Sequence, residues 1–203
     1  MPSSNIHLKV ANELNKRLNI NSIDFIVGNI APDAVNINGF ASREKRWSAH
    51  LRDKDLDTWI SNAKNFYYQN KDKYNNEFLL GYISHILTDV LHDKYLYMRQ
   101  RNQIEEDTKY VGEDAHDILR EDMNNYSFQE FEELKVQLQD YDNKYEILNI
   151  TKEDLNAWIR KTLESYRDNT TSKYQTEEDI EFLINAVKNT LNQLMEQEKV
   201  KYK

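Results

Sequence analysis

Hydrophobic positions recur at helical steps along most of the chain. Ile6, Val10, Leu14 and Leu18 follow at four-residue intervals over 4–18, the spacing that aligns side chains on one helix face. Residues 22–30, "SIDFIVGNI", are a short apolar run that predicts a second helix. Leu56, Ile60, Ala63 and Tyr67 share a face over 55–70, and 75–100 is the longest helical stretch. A short helix is predicted over 113–124. Ser127 with Glu130, Thr151 with Asp154 and Thr176 with Asp179 each set a carboxylate three residues after a hydroxyl, the pattern that opens a helix. The first of these helices runs to about 139, and the second carries Leu155, Trp158, Ile159 and Leu163. The last carries Ile180, Leu183, Ile184, Val187, Leu191 and Leu194. Between helices, 31–54 reads as a long ordered loop holding Pro32 and Gly39, 101–112 as a charged linker and 167–175 as a polar connection. About eight helices result, with 4 Gly and 2 Pro to punctuate 203 residues and no convincing strand. The expected fold is all-α: one multi-helix bundle over 1–203.

One stretch breaks the apolar rule. "GYISHILTDVLHDKY", 81–95, places His85, Asp89 and His92 within a wedge of about 60° that also holds Phe78, Tyr82 and Leu96. Ionisable groups on a core-facing stripe cost several kcal/mol unless satisfied. A helical His–Asp pair at i, i+4 can share a metal ion; the plain alternative is a histidine bonded to a carbonyl and an aspartate paired with a lysine. Other segments supply the same donor types. His7 lies beside Ile6 and Val10; Asp33 follows Pro32 in "GNIAPDA"; His50 stands in "RWSAHL" near Trp47; His116 stands in "GEDAHDILRED" with Glu113, Asp117 and Arg120 around it. All 5 histidines precede residue 117, so the chemistry belongs to the first 120 residues and 121–203 reads as scaffold. With no cysteine, any metal site has only nitrogen and oxygen donors, a set that suits zinc and also iron or manganese.

The formal charge of −8 argues against a duplex nucleic-acid binder and repels anionic substrates at long range. Bound cations are the available remedy for a phosphate. No leader pattern and no long apolar span stand in the chain, which with the lack of cysteine gives a cytoplasmic expectation. The 13 tyrosines mostly fall at helical spacings and are expected at core edges rather than at a lipid interface.

"MPSSNIHLKVANEL", "FIVGNIAPDA", "SAHL" and "GYISHILTD", in this order over about residues 1–120, resemble the zinc-dependent phospholipase C family, which is similar in fold to the P1-type nucleases. The resemblance implies that Asp33, His50, His85 and Asp89 ligate one zinc, and that Asp89 bridges to a second held also by His7. It implies that Asp33 doubles as general base and that His116 belongs to a further metal position, for two or three ions in all. It also implies a small phosphate-ester or phospholipid substrate. Arg120 departs from the family pattern, which sets a carboxylate four residues after that histidine; Glu113, Asp117 or Glu121 would substitute. His92 stands where relatives often carry an aromatic residue and is expected to support the site rather than ligate. Two other readings fit parts of the pattern. The doublets His92-Asp93 and His116-Asp117, with His50 and His85, suit an HD-type phosphohydrolase; a helical binding protein with a structural or vestigial metal site is the other.

Overall fold

The computed structural model describes residues 2–167 and 170–201, without the side chains of 197–201. Ten α-helices and one 3-10 turn make up the described residues, and none of these residues belongs to a named strand. In order they are α1 Ser4–Arg17, α2 Ile23–Ile30, the 3-10 turn Ala31–Asn36, α3 Arg43–Ala49, α4 Leu56–Asn70 and α5 Asn76–Tyr95. Then come α6 Tyr97–Thr108, α7 Glu113–Asn124, α8 Phe131–Gln139, α9 Lys152–Ser165 and α10 Glu177–Lys201. The all-α bundle expected from the hydrophobic pattern is the observed fold. No described helix is long and apolar enough to cross a membrane.

Helix α5 is the axis of the molecule. Every residue from Phe78 to His92 is buried, so this helix is enclosed all round rather than amphipathic, and α1, α2, α4, α6 and α10 surround it. The α2–α5 contact is the most extensive, because both helices carry a glycine where they meet. A Cβ on Gly28 would lie 2.0 Å from the Phe78 carbonyl oxygen, and one on Gly81 would lie 2.0 Å from that of Phe25. The two backbones therefore touch, and any larger residue at either position must push the helices apart.

Three stretches depart from the sequence pattern. The stretch 75–100 is two helices, broken at Leu96. In one straight helix His92 and Gln100 would stand about 12 Å apart along the axis; the break folds Gln100 back, and His92 Nε2 donates to its Oε1 at 3.0 Å. The predicted linker 101–112 is helical to Thr108 although Ile104 is its only buried residue. Local i, i+4 pairs support it instead, Arg101–Glu105 at 3.1 Å and Gln103–Asp107 at 3.0 Å. The predicted loop 31–54 contains α3, capped by Ser42, whose Oγ accepts from the Lys45 N–H at 3.4 Å. Seven residues are too few to show a hydrophobic period.

The capping boxes at Thr151 and Thr176 form: the Asp154 and Asp179 amides donate to the threonine hydroxyls at 3.1 and 3.2 Å. Their carboxylates in turn accept from the threonine amides. The Ser127 box does not form. Its hydroxyl donates to the Thr170 carbonyl at 2.8 Å, Glu130 turns to Lys9, and α8 starts only at Phe131. Of the tyrosines, Tyr67 is buried and Tyr74 and Tyr97 pack at the core edge, while Tyr95 is exposed against Phe182.

Replacing Gly28 or Gly81 with alanine should cost about 3 kcal/mol or more, at the upper end of overpacking penalties, because the obstacle is backbone. Denaturant unfolding of each variant measures this, and an unchanged midpoint would show that the helices part freely.

Candidate metal centre

The centre is assembled by fixing each histidine from behind. The start of α1 is pinned to the end of α7: Ser3 Oγ donates to the Met123 carbonyl at 2.7 Å, and Asn5 to those of Asn124 and Tyr126 at 2.8 and 3.1 Å. His7 follows in the next turn, its ring stacked on that of His85 at 3.7 Å and 9°. In the last turn of α2 stands Asn29, whose carbonyl accepts from His85 Nδ1 at 2.6 Å. The Asn29 side chain, oriented with its nitrogen toward α1, donates to the His7 carbonyl at 3.0 Å and meets Ser84 Oγ at 2.7 Å. One residue thus ties α1, α2 and α5 together. The chain then passes through Pro32 into the 3-10 turn, which presents Asp33. His50 caps the C-terminus of α3 and its Nδ1 donates back to the Arg46 carbonyl at 2.9 Å. The His50 carbonyl accepts from Trp59 Nε1 at 2.7 Å, and the Ala49 carbonyl accepts from the Tyr82 hydroxyl.

These bonds decide what the rings present. His50 and His85 each use Nδ1–H on a carbonyl, so each offers Nε2 as a lone pair. The two Nε2 atoms face each other at 3.3 Å. Two bare lone pairs at that distance repel, and a cation between or beside them removes the repulsion. Asp89 lies among all three rings: Oδ1 is 3.2 Å from His7 Nε2, and Oδ2 is 3.7 and 3.6 Å from His50 and His85 Nε2. Asp33 Oδ1 is 3.4 Å from His50 Nε2. The donor atoms form two groups, His7–His85–Asp89 and Asp33–His50–His85, each with every pair of atoms within 4.8 Å. Ligands on one zinc at bonds of about 2.1 Å lie at most roughly 4 Å apart, so small side-chain adjustments suffice.

Burial sharpens the case. His7, His50, His85 and Asp89 are at most 1% exposed, whereas the Asp33 side chain keeps 18%. Both ring nitrogens of His7 and both oxygens of Asp89 are buried without a hydrogen-bond partner. An unsatisfied buried charge of this kind is among the costliest features a core can hold. A divalent ion would satisfy the Asp89 carboxylate and one ring nitrogen of His7 together, and the nitrogen and oxygen donors match zinc.

The titration of the cluster favours the same state. Burial, and then the neighbouring His7, push His85 down to about 3, so its ring is neutral. Burial opposes ionisation of Asp89, but the histidines around it, His85 foremost, hold its carboxyl below the usual range. Asp33 is likewise lowered against its burial, foremost by its hydrogen bond to His50. His50 is raised against burial by Asp33 and then Asp89.

The two remaining histidines stand elsewhere. His92 is buried but bonds Gln100, whose amide donates to Gln175 and Asp179 at 3.2 and 3.0 Å. His116 joins neither donor group: its Nδ1 meets the Tyr97 hydroxyl at 3.2 Å, and burial together with nearby Arg120 lowers its pKa. Glu113 is exposed, and Arg120 pairs with Asp117 at 3.1 Å. The doublets His92-Asp93 and His116-Asp117 therefore do not meet at the cluster, which removes the geometry an HD-type centre would need.

A cavity of about 600 Å³ opens above the cluster, reached by Asp33 and His50 and walled also by Asp93 and His116. Trp158 and Lys161 of α9, in the half expected to act as scaffold, line it too. The sequence pattern missed this contribution, along with Asn29 and the α3 residue Arg46. Asn29 had a signal, being the one amide in the apolar run 25–31.

The model of the family described as zinc dependent phospholipase C matches residues 4–199, nearly the whole chain. The chain belongs to the zinc-dependent phospholipase C family. No curated protein and no solved structure matches it significantly. Membership makes it a zinc-dependent, phospholipase C-like hydrolase, and the buried histidine and aspartate groups are where this family member could hold its metal.

Zinc added to chelator-stripped protein should raise the melting temperature, with about 4 kcal/mol of stabilisation at a thousandfold excess over the dissociation constant. Asp89→Ala should abolish most of that gain. Metal binding displaces protons, so affinity should fall on acidification. Because His50 is raised in the metal-free chain, the fall should begin above the ordinary histidine value of about 6.5. Zinc titrations at stepped pH read this directly, and a flat affinity between pH 8 and 6 would exclude His50 as a ligand.

Proposed function

We propose that the chain hydrolyses a phosphate diester at this centre with zinc as cofactor, His7, His50, His85, Asp33 and Asp89 holding the metal. The observation that carries the reading is the set of orphaned buried donors on His7 and Asp89, which opens to solvent through Asp33. His85 has one free lone pair, since Nδ1 is bonded to Asn29, and so serves one ion. Asp89 has two oxygens: Oδ1 belongs with His7, and Oδ2 with His50, His85 and Asp33. That division would give zinc two sets of donors, both drawing on Asp89. His116 takes no part in it; it stands on the cavity wall, available to a further position or to substrate.

Bound zinc would act as a Lewis acid on the phosphate and lower the pKa of water near neutrality. The chain's own residues do the rest. Asp33 is the partly exposed carboxylate of the cluster, carried on a turn rather than a helix, and its ionised state suits it to orient a water and receive its proton. His50, anchored through Arg46, Trp59 and the adjacent Ala49–Tyr82 bond, fixes the side of the cluster that Asp33 faces. Asp89 and the stacked His7–His85 pair lie deeper, out of contact with water, and keep the donor geometry fixed as substrate enters.

Asp33→Asn should keep the helical circular dichroism signal and retain some zinc through His50, His85 and Asp89. Its turnover of bis-nitrophenyl phosphate should fall about 10²- to 10⁴-fold, the usual worth of a general base. Equal turnover in variant and wild type would take Asp33 out of catalysis. A fully metallated wild type that hydrolyses no phosphodiester would favour a binding protein with a structural metal.

A further inference from the structure

We propose that the substrate carries a second anionic group beside the scissile phosphodiester, recognised by Arg46 and Lys161. The inference rests on the reading of the 600 Å³ cavity as the substrate site. The protein as a whole is acidic, at −8, yet this cavity is not. Its wall holds four cationic side chains, Arg46, Arg52, Arg120 and Lys161, against the two carboxylates Asp33 and Asp93.

The local partners separate these cations. Arg52 is paired with Asp93 at 2.9 Å, and Arg120 with Asp117 at 3.1 Å. Arg46 and Lys161 form no ion pair among the described residues. Arg46 is nevertheless held in place: its Nε donates to the Ala41 carbonyl at 3.1 Å and its guanidinium lies 4.1 Å from the Phe40 ring centre. Its two terminal nitrogens keep their donors for a planar acceptor. Lys161 lies 5.1 Å from the Trp158 ring centre. In a chain with 35 acidic and 27 basic residues, two cations without an ion pair that line one cavity offer a place for an anion from outside.

The scissile phosphate does not account for them. A diester carries one negative charge, and the metal positions below already supply positive charge there. A zwitterionic headgroup would set its ammonium against a wall whose carboxylates are engaged, Asp33 with His50 and Asp93 with Arg52. A neighbouring phosphate monoester or carboxylate fits instead. Arg46 comes from α3 and Lys161 from α9, so the recognition element joins the two halves of the chain.

The test compares anionic with zwitterionic ligands on the zinc-loaded full chain. Calorimetry should give about tenfold tighter binding of inositol 1,4-bisphosphate than of phosphocholine, the scale of one or two partly exposed ion pairs. Lys161→Gln together with Arg46→Gln should bring the ratio near one. Lys161→Glu, a surface change that leaves the core intact, should lower it by itself, and raised salt should do the same. Equal binding of the two ligands by the wild type, or a ratio untouched by the variants, overturns the inference even if bis-nitrophenyl phosphate is hydrolysed. A tenfold preference lost in the variants supports it even if no diester is turned over, in which case only the hydrolytic reading fails. With turnover, kcat/KM should show the same preference for phosphatidylinositol 4-phosphate over phosphatidylcholine, as dihexanoyl lipids and as their deacylated forms. The form with the higher kcat/KM names the source of the anion.

Discussion

Helices α2 and α5 meet backbone to backbone at Gly28 and Gly81, and the candidate centre depends on that contact. It brings the end of α2 close enough for the Asn29 carbonyl to take the Nδ1 proton of His85. That single bond fixes the tautomer, leaves Nε2 as a lone pair and fixes the ring angle. It also sets where the chain emerges from α2, so Pro32 and the 3-10 turn place Asp33 opposite the same ring. A side chain at either glycine would move Asn29, and the turn carrying Asp33 behind it, away from His85 and Asp89 on α5. Packing and chemistry are one constraint here, since the most extensive helix contact among the described residues also supports the donor set.

Asp89 sets the electrostatics around that scaffold. A buried carboxylate in a net-negative chain needs positive charge nearby, and His7, His50 and His85 stand within 3.7 Å of it. Histidine meets this need only when protonated, and burial drives His85 the other way. The cluster without metal is therefore a poor compromise: carboxylates that stay ionised, one ring that stays neutral and orphaned donors that hydrogen bonds do not reach. A divalent cation settles all three conflicts together. Stability is given up locally at a cluster that a metal ion could complete, and the surrounding apolar bundle carries that cost.

A second buried polar network lies farther along α5 and has a different logic. His92 donates to Gln100, whose amide donates to both Gln175 and Asp179, and Arg99 pairs with Asp179 from the surface. It joins α5, α6 and the start of α10 across the break at Leu96. Its side-chain bonds make it a clamp, although His92 Nδ1 and Gln175 Nε2 have no hydrogen-bond partner among the described residues.

The sequence by itself determined the class of fold and the inventory of donors. Period-3.6 apolar spacing over 4–18, 55–70 and 176–194 specifies helices because each must bury one face, and that demand is local. The threonine caps at 151 and 176 were legible for the same reason, since a cap needs only three residues of chain. The His85–Asp89 pair was visible because ionisable groups on a core stripe demand a partner. Tertiary structure decided what those partners are. His85, Asp89 and His92 share a wedge of one helix, yet the first two face the cluster and the third bonds Gln100, because a break at Leu96 carries Gln100 back. Ser127 and Glu130 spell a cap that distant Thr170 and Lys9 take apart. Trp158 and Lys161 reach the cavity from a helix whose pattern shows only an apolar face. Each of these outcomes turns on contacts between residues far apart in the chain, and the spacing of residues along one helix carries no information about which side chain from another will arrive there.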